Sequence, residues 1–279
     1  MNVLFRFRFM SASTSPIALV TGASSGIGEA TARVLAREGW QVVLVARTEA
    51  KLYAIRSEIE SSGGQAHVAA VDAADGEAVL DKANEIRATI GIPSLIVNSA
   101  GMGAWKYIED TPPSEAQTMI GAPFLAAYNW THAFMKDMLA RRKGVIIHVG
   151  SPASFCAWPG ATGYVASRCA LWGLHEALHQ DLRGSGVRTC MVTFGEVTSP
   201  YFEVNTVGEE QLPSIGRWVP KTSPEKCGRI IAKLAQKPKK NVFHPFLLRV
   251  LRAIHVLCPA FTRWLVRQTP QKHVLPPQI

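Results

Sequence analysis

Tyr164 and Arg168 are separated by four residues, and Ser151 precedes Tyr164 by thirteen. Side chains four residues apart lie on the same face of a helix, so this spacing places a phenol beside a fixed cation. Such a phenol can donate a proton near neutral pH, and a nearby serine hydroxyl can polarise the oxygen that receives it. The trio therefore predicts acid–base chemistry on an oxygen atom of a ligand.

The elements that must position this trio alternate along the chain. Short apolar runs typical of buried strands are followed by segments with helical periodicity, and this alternation predicts βαβ units. It indicates an α/β fold of Rossmann type, a doubly wound parallel sheet whose ligand binds at the carboxyl ends of the strands. The predicted strands are 17–20, 42–45, 66–71, 94–97, 145–149 and 187–193. The predicted helices are 26–38, one from 48, 76–90, 119–142, 161–182 and 224–236.

Length and composition favour a single folded domain with short extensions. The chain has 279 residues, of which 47% are hydrophobic and 18% charged, enough to bury one substantial core. We assign 1–14 to an N-terminal extension, 15–236 to the dinucleotide-binding and catalytic domain, and 237–279 to a basic amphipathic C-terminal extension. Within the domain, 199–220 is rich in Pro and Gly and predicts a mobile loop over the site.

The net charge of +9 comes from the extensions. All 21 acidic residues lie within 21–236 together with 20 of the 30 basic ones, so the body is nearly neutral. This distribution does not favour a nucleic-acid partner. The five cysteines are far apart and form no CxxC pair, which favours a reducing, cytoplasmic compartment and predicts neither a metal site nor a disulfide framework.

A glycine-rich turn follows the first predicted strand and opens the first helix. Glycines at this junction let the backbone approach a pyrophosphate at the positive helix terminus, and serine hydroxyls add donors. The alternative is an ordinary tight turn, but its place between strand and helix favours a dinucleotide. The candidate cofactor residues of this turn are Gly22, Ser24, Ser25, Gly26, Ile27 and Gly28.

The ends of the next two strands indicate which dinucleotide is bound. Where an NAD site prefers a carboxylate, the second strand ends in Ala46 and Arg47. A guanidinium there favours the 2′-phosphate of NADP, although an exposed strand-end arginine is the alternative. Asp72 ends the third strand and either contacts the adenine or caps the following turn.

Together these motifs resemble the short-chain dehydrogenase/reductase family over residues 15–236. The segment Asn98-Ser-Ala-Gly101 is similar to the family's NNAG, Ser151 and Tyr164 match its catalytic serine and tyrosine, and 194–199 matches the segment that cradles the nicotinamide. The resemblance implies an NADP(H)-dependent oxidoreductase acting on carbonyl or alcohol groups, commonly a homo-oligomer. It adds as cofactor contacts Asn98, Ala100, Gly101, Tyr164, Arg168, Gly195, Val197 and Ser199.

Two positions depart from the family pattern. Arg168 replaces the lysine that holds the nicotinamide ribose, and a guanidinium keeps the charge but cannot share a proton. Pro123 stands where an asparagine often anchors a proton-relay water, and it is expected to bend the first turn of its helix. Asn129 is expected to face another side. The trio is thus consistent with an active reductase, a cofactor-binding scaffold without turnover, or a coincidental helix surface.

Bulky apolar residues are expected around the trio and favour a hydrophobic substrate of steroid, retinoid, terpenoid or long-chain type. Plain packing is the alternative for any one of them. Glu196 is unusual in an apolar rim and could contact the substrate, but it is expected to face solvent. The substrate candidates are Trp105, Phe155, Trp158, Tyr201 and Phe202, with Tyr107, Phe194 and Trp218 nearby.

The C-terminal extension predicts two short amphipathic helices within 246–268, interrupted at Pro259. Their apolar residues and arginines suit peripheral contact with a membrane, while packing over the substrate pocket and a subunit interface are equal alternatives. We expect no membrane-spanning helix, because no stretch approaches about 20 uncharged apolar residues. The N-terminus lacks the continuous apolar run of a secretory signal.

Overall fold

The computed structural model describes residues 15–199, 201, 205 and 213–268. The predicted N-terminal extension and half of the loop over 199–220, Phe202 included, lie outside the described residues. The other predicted site residues lie within them.

Within this part of the chain, seven parallel strands form one sheet in the order β3-β2-β1-β4-β5-β6-β7. Strand β1 lies between β2 and β4, so the winding direction reverses there and opens a crevice at the carboxyl ends of β1 and β4. The strands are β1 (Ile17–Thr21), β2 (Gln41–Ala46), β3 (Gln65–Ala70), β4 (Leu95–Asn98), β5 (Gly144–Gly150), β6 (Val187–Phe194) and β7 (Asn241–His244).

Helices cover both faces of the sheet, which confirms the predicted Rossmann-type α/β fold. One core contains Leu35, Leu52 and Ile231, and the core on the opposite face contains Trp130 and Phe134. Burial of these apolar faces is the main force holding the layers together. The helices are α1 (Gly26–Arg37), α2 (Glu49–Ser61), α3 (Gly76–Thr89), α4 (Pro113–Ile120), α5 (Ala126–Ala140), α6 (Thr162–Asp181), α7 (Pro224–Gln236), α8 (Phe246–Leu257) and α9 (Pro259–Arg267).

The long helix before β5 differs from its prediction. A π-helical segment, Gly121–Leu125, joins α4 to α5, so the helical run begins at Pro113 rather than near residue 119. Pro123 therefore lies in the interior of the run and not in its first turn. Because proline has no backbone N–H, an α-helical hydrogen bond is lost there, and the wider π turn accommodates the change.

The sequence pattern does not predict β7, which lies in the segment assigned to the C-terminal extension. It pairs in parallel with β6, and Met191 stands opposite Asn241 in the register. The helices α8 and α9 follow, and α9 begins at Pro259, which confirms the two predicted helices. Among the described residues, no helix combines the length and apolarity needed to cross a membrane.

Candidate functional site

A cavity of about 890 Å³ lies at the carboxyl ends of the strands. Its volume lies within the range of roughly 300–1,000 Å³ that is usual for small-molecule and cofactor sites. Nearly all the predicted site residues meet in its wall: Gly22, Ser24, Ser25, Gly26, Ile27, Gly28, Arg47, Asp72, Ala100, Gly101, Trp105, Ser151, Phe155, Trp158, Tyr164, Arg168, Gly195, Val197, Ser199 and Tyr201.

The glycine turn has the backbone of a phosphate-binding loop. Gly22 has φ +65°, and a Cβ there would lie 2.9 Å from the Cα of Ala100, so a larger residue is excluded by conformation and by space. Ser25 precedes α1 without a side-chain capping bond. The first N–H groups of α1 therefore face the cavity with no side-chain cap, which is the usual arrangement at an anion site.

Thr21 holds this turn against the turn after β4. Its hydroxyl oxygen accepts hydrogen bonds from the backbone N–H groups of Ser99 and Ala100 at 3.1 and 3.0 Å. Thr21 was not predicted as a site residue, although its place at the end of β1 was a usable signal. Its contacts fix the width of the crevice between the two turns.

The far end of the cavity is basic. Arg47 lines it, and so does Lys51, four residues later in the first turn of α2. Lys51 was not predicted, although it is the basic residue in the first turn of the helix that follows Arg47. Asp72 also lines the cavity, and its carboxylate accepts a bond from the N–H of Ala74 at 3.0 Å, so it does cap the following turn.

Asn98 does not line the cavity, unlike the other predicted cofactor residues. Its side chain is buried, and its Nδ2 lies 3.4 Å from the hydroxyl of Thr131 and 3.3 Å from Nδ1 of His148. The side chain at the end of β4 turns into the protein because side chains on α5 and β5 offer it hydrogen-bond partners there. Asn98 therefore supports the crevice from behind.

Ser151 is buried at the end of β5, where its hydroxyl oxygen accepts a bond from the N–H of Ala153 at 3.2 Å. This bond fixes the side chain but uses only a lone pair of the oxygen. The hydroxyl hydrogen remains available to a ligand oxygen in the cavity.

Tyr164 is held in an aromatic cage. Its ring centroid lies 5.9 Å from that of Trp105 and 6.1 Å from that of Trp158, and the two tryptophans make a T-shaped contact at 5.5 Å. These bulky neighbours leave the phenol buried and fix its direction. The predicted substrate residues therefore also position the predicted acid.

Arg168 lies one turn further along α6, buried in the protein. Its Cζ is 4.9 Å from the centroid of the Tyr164 ring, and a Cβ on Gly101 would lie 2.8 Å from its Nη2. Burial acts against its charge, but Tyr164 and Tyr201 raise the pKa of Arg168 above its ordinary value. Among the described residues its Nε has no hydrogen-bond partner. A buried donor of this kind is suited to a ligand oxygen.

Tyr201 places a second phenol at this centre. Its side chain interacts with both Arg168 and Tyr164, and burial, followed by Tyr164, raises the pKa of Tyr201 while Arg168 opposes the rise. Asn205 holds this segment in place, because its Oδ1 accepts a bond from the N–H of Gly103 at 3.0 Å and its Nδ2 donates to the carbonyl of Tyr201 at 2.7 Å. No sequence signal predicts this contact, since it depends on tertiary packing between residues far apart in the chain.

Three further residues had been given an expected position relative to the site. Glu196 does not face solvent, because its nearly buried carboxylate pairs with Lys221 beside the cavity. Asn129 faces away from the trio as expected, donating to the carbonyls of Ala73 and Ala74 at 3.1 and 3.2 Å. Trp218 is largely exposed and does not line the cavity.

The two tail helices close one side of the cavity. The tail was expected to contact a membrane, to pack over the pocket or to form a subunit interface. Its inward face does pack over the pocket. Arg252 on α8 lies over the ring of Phe155 at 5.0 Å and so attaches the helix to the body. The tail residues that line the cavity are Leu248, Leu251, His255, Thr262 and Val266.

The sequence of the chain is similar to those of known oxidoreductases. Residues 16–209 match a family model described as short chain dehydrogenase. The chain is 31% identical to a short chain dehydrogenase of Pseudocercospora fijiensis, over 74% of this chain and 68% of the relative. It is 32% identical to sulfoacetaldehyde reductase 2 of Chromohalobacter salexigens, over 70% of this chain and 78% of that enzyme.

A solved structure extends the similarity to three dimensions. The crystal structure of a metagenomic short-chain oxidoreductase in complex with NADP superposes with a TM-score of 0.69 at 29% sequence identity. The match covers 82% of this chain and 94% of that protein.

Proposed function

Because the chain belongs to the short-chain dehydrogenase family and is an oxidoreductase of that type, we propose that it transfers a hydride between NADP(H) and a hydrophobic carbonyl or alcohol. One observation carries the proposal. Ser151, Tyr164 and Arg168 line the same cavity as the glycine turn, so a proton donor and a dinucleotide site share one space.

The residues of the cavity fit a dinucleotide. The crowded backbone around Gly22 and the N-terminus of α1 would hold the pyrophosphate. The unpartnered Nε of Arg168 would donate to a ribose hydroxyl near Gly101. The segment after β6 would contact the nicotinamide, because Ser199 packs against Gly26 and closes that side of the turn.

Two cations support NADP(H) over NAD(H). Arg47 and Lys51 line the end of the cavity where the adenosine would lie, and Asp72 there is engaged with the N–H of Ala74. A guanidinium and an ammonium would bind a 2′-phosphate by charge-assisted hydrogen bonds. The similar metagenomic oxidoreductase was crystallised with NADP, which agrees with this choice.

When bound, NADPH would supply the hydride for reduction of a carbonyl group. Tyr164 donates its phenolic proton to the carbonyl oxygen, while the hydroxyl of Ser151 donates a hydrogen bond to the same oxygen. The charge of Arg168 then stabilises the phenolate that remains. The product is an alcohol, and the oxidation reaction runs through the same groups in reverse.

The proton returned to Tyr164 needs another route than in an enzyme with lysine, because a guanidinium stays protonated. We assign this step to Tyr201, a neutral phenol in contact with both Tyr164 and Arg168. A neutral hydroxyl can donate and accept at once, so it can pass a proton from the cavity to Tyr164.

The lining of the cavity near Tyr164 favours a hydrophobic substrate. Trp105, Phe155 and Trp158 form one wall, and Leu248 and Leu251 of α8 form the other. Burial of an apolar ligand between these walls is favourable by about 25 cal/mol for each Å² removed from water. We therefore propose a lipophilic ketone, aldehyde or alcohol as the substrate class.

Fluorescence titration with NADPH and NADH, followed by NADPH consumption against a panel of lipophilic ketones and aldehydes, tests the proposal. Tyr164→Phe should bind NADPH normally and lose at least about 100-fold in kcat. Tyr53→Phe, which changes an exposed tyrosine on α2, is the matched control. Tight NADPH binding without turnover, unaltered in Tyr164→Phe, would reject the enzymatic function.

A further inference from the structure

Helix α8 has two different apolar faces. Its inward face includes Leu251 and His255, which line the cavity. The outward face carries Phe246, Val256 and Leu257. The last two follow Phe246 by ten and eleven residues, about three helical turns, so the three side chains lie on the same side of the helix. Their exposed fractions are 70%, 62% and 85%, so large apolar side chains remain uncovered by the described part of the chain.

Helix α9 continues this outward face. Phe261 and Trp264 stack with ring centroids 6.1 Å apart, and they expose 45% and 55% of their surface. Thr262 and Val266 on the opposite side are buried against the cavity. We call the outward set, Phe246, Val256, Leu257, Phe261 and Trp264, the tail surface.

The charges around the tail surface have one sign. Arg249 lies over the ring of Phe246 at 5.9 Å, and Arg263 and Arg267 are exposed on the flank of α9, where they line a cleft with Cys156 and His255. Arg252 turns inward over Phe155. Residues 237–279 contain no Asp or Glu. An exposed apolar patch with a rim of arginines marks an interaction site for a negatively charged partner.

A second copy of the chain is a poor occupant of this surface. A two-fold contact would bring the tail surface against itself, so the arginines of one copy would face those of the other, and residues 237–279 supply no carboxylate to pair with them. An anionic lipid surface has the complementary charge. Its interfacial region also accommodates Trp and Phe side chains at the level of the headgroups.

We propose that the tail surface docks on an anionic lipid bilayer, with Phe261, Trp264 and Leu257 inserted at the headgroup boundary. Helix α8 would then lie between the bilayer and the cavity, so the two would be one helix diameter apart, about 10 Å. A lipophilic substrate dissolved in the membrane would thus reach the cavity beside α8. The docking goes beyond the proposed reaction and does not depend on it.

Vesicle flotation of the full chain tests the docking, with phosphatidylcholine vesicles compared with vesicles that also contain phosphatidylserine. Phe261→Ser/Trp264→Ser removes apolar contacts, and Arg263→Ala/Arg267→Ala removes charge. The matched controls are Tyr53→Ser and Lys136→Ala/Lys143→Ala, which alter exposed residues away from the tail. Circular dichroism and NADPH binding verify that each variant is folded.

The wild type should float with the anionic vesicles and do so less at high salt. Each arginine contributes about 1 kcal/mol at an anionic surface, so the double arginine variant should lose roughly 30-fold in partition coefficient. The aromatic variant should also lose flotation, and the controls should match the wild type. Wild-type protein that stays unbound, or tail variants that float like the controls, would overturn the proposal.

Light scattering without lipid tests whether a second copy of the chain covers the tail surface instead. A loss of molar mass in the aromatic variant, with unchanged flotation, would identify the tail surface as a subunit contact and would also overturn the proposal. Turnover of a water-soluble ketone separates docking from chemistry. Failure of flotation with turnover intact rejects the docking alone, and flotation without turnover rejects the proposed reaction alone.

Discussion

The guanidinium of Arg168 lies over the ring of Tyr164, with Cζ 4.9 Å from the ring centroid. No carboxylate among the described residues contributes to the environment of this buried cation, whose polar neighbours are the phenols of Tyr164 and Tyr201. An isolated charge in a protein interior is unfavourable unless it is paired or hydrogen-bonded. The arrangement therefore favours any step that places negative charge on a neighbouring oxygen.

Two replacements of Arg168 should distinguish the contribution of its charge to kcat from that of its shape. Arg168→Met removes the cation, so we expect kcat to fall at least about 100-fold, with weaker NADPH binding. Arg168→Lys keeps the charge on a smaller group and should retain most of the activity. Stopped-flow measurement of NADPH oxidation gives both rates. Equal losses in the two variants would show that the planar guanidinium itself is required.

Tyr201→Phe removes the second phenol while it keeps the ring. We expect kcat to fall roughly tenfold or more because a hydrogen bond to a charged group is lost, and the KM for NADPH should not change. Steady-state kinetics separate the two parameters. Tyr128→Phe, on the exposed side of α5, is the matched control. A change in KM alone would assign Tyr201 to binding rather than proton transfer.

Arg47→Asp should change the choice of cofactor. Loss of a charge-assisted hydrogen bond costs about 2 kcal/mol, so the KM for NADPH should rise roughly 30-fold while that for NADH falls. Lys51→Ala should weaken NADPH binding without improving NADH. The two KM values measured with one ketone check this expectation. Arg37→Asp, outside the cavity, should leave both unchanged.

The buried pair His148 and His175 should make the fold sensitive to acid. Burial, reinforced by His175, lowers the pKa of His148 to about 3, and burial lowers that of His175 to about 4. As the pH falls below about 6.5, the unfolded chain binds protons that the folded chain does not, so the free energy of unfolding decreases. Each histidine contributes a slope of up to about 1.4 kcal/mol per pH unit.

Urea unfolding at several values between about pH 6.5 and about pH 4 measures this slope. His148→Gln keeps a polar side chain near Asn98 and should reduce the slope by the share of one histidine. An unchanged slope in this variant would mean that His148 is protonated in the folded protein. His132→Gln, an exposed change on α5, should behave as the wild type.

The sequence predicted the sheet and most of the cavity because both depend on local patterns. Strands with continuous apolar runs, such as β1 and β5, were recognisable by themselves, and the glycine turn follows β1 directly. Strand β7 was missed because its four residues are only half-buried and show no alternation. The start of α4 was missed because residues 114–118 are mostly polar and show no apolar periodicity, although Pro113 at the first position is a usual sign of a helix start.

Residues whose position depends on distant contacts could not be predicted. Asn98 turns inward because His148 and Thr131 offer polar partners, and neither is near it in the sequence. Tyr201 reaches Arg168 only because Asn205 binds the backbone at Gly103. Glu196 is buried because Lys221, on the far side of the loop, pairs with it. Each of these contacts is fixed by tertiary packing.

The pairing of β7 with β6 determines where the tail can be cut. A truncation at residue 236 would remove an edge strand and leave the backbone of β6 unpaired, and an open, apolar edge of this kind recruits other chains into aggregates. Loss of membrane binding or of activity in such a truncated protein would then report insolubility. A truncation placed after Pro245 keeps the seventh strand and removes the two amphipathic helices together with the residues that follow them.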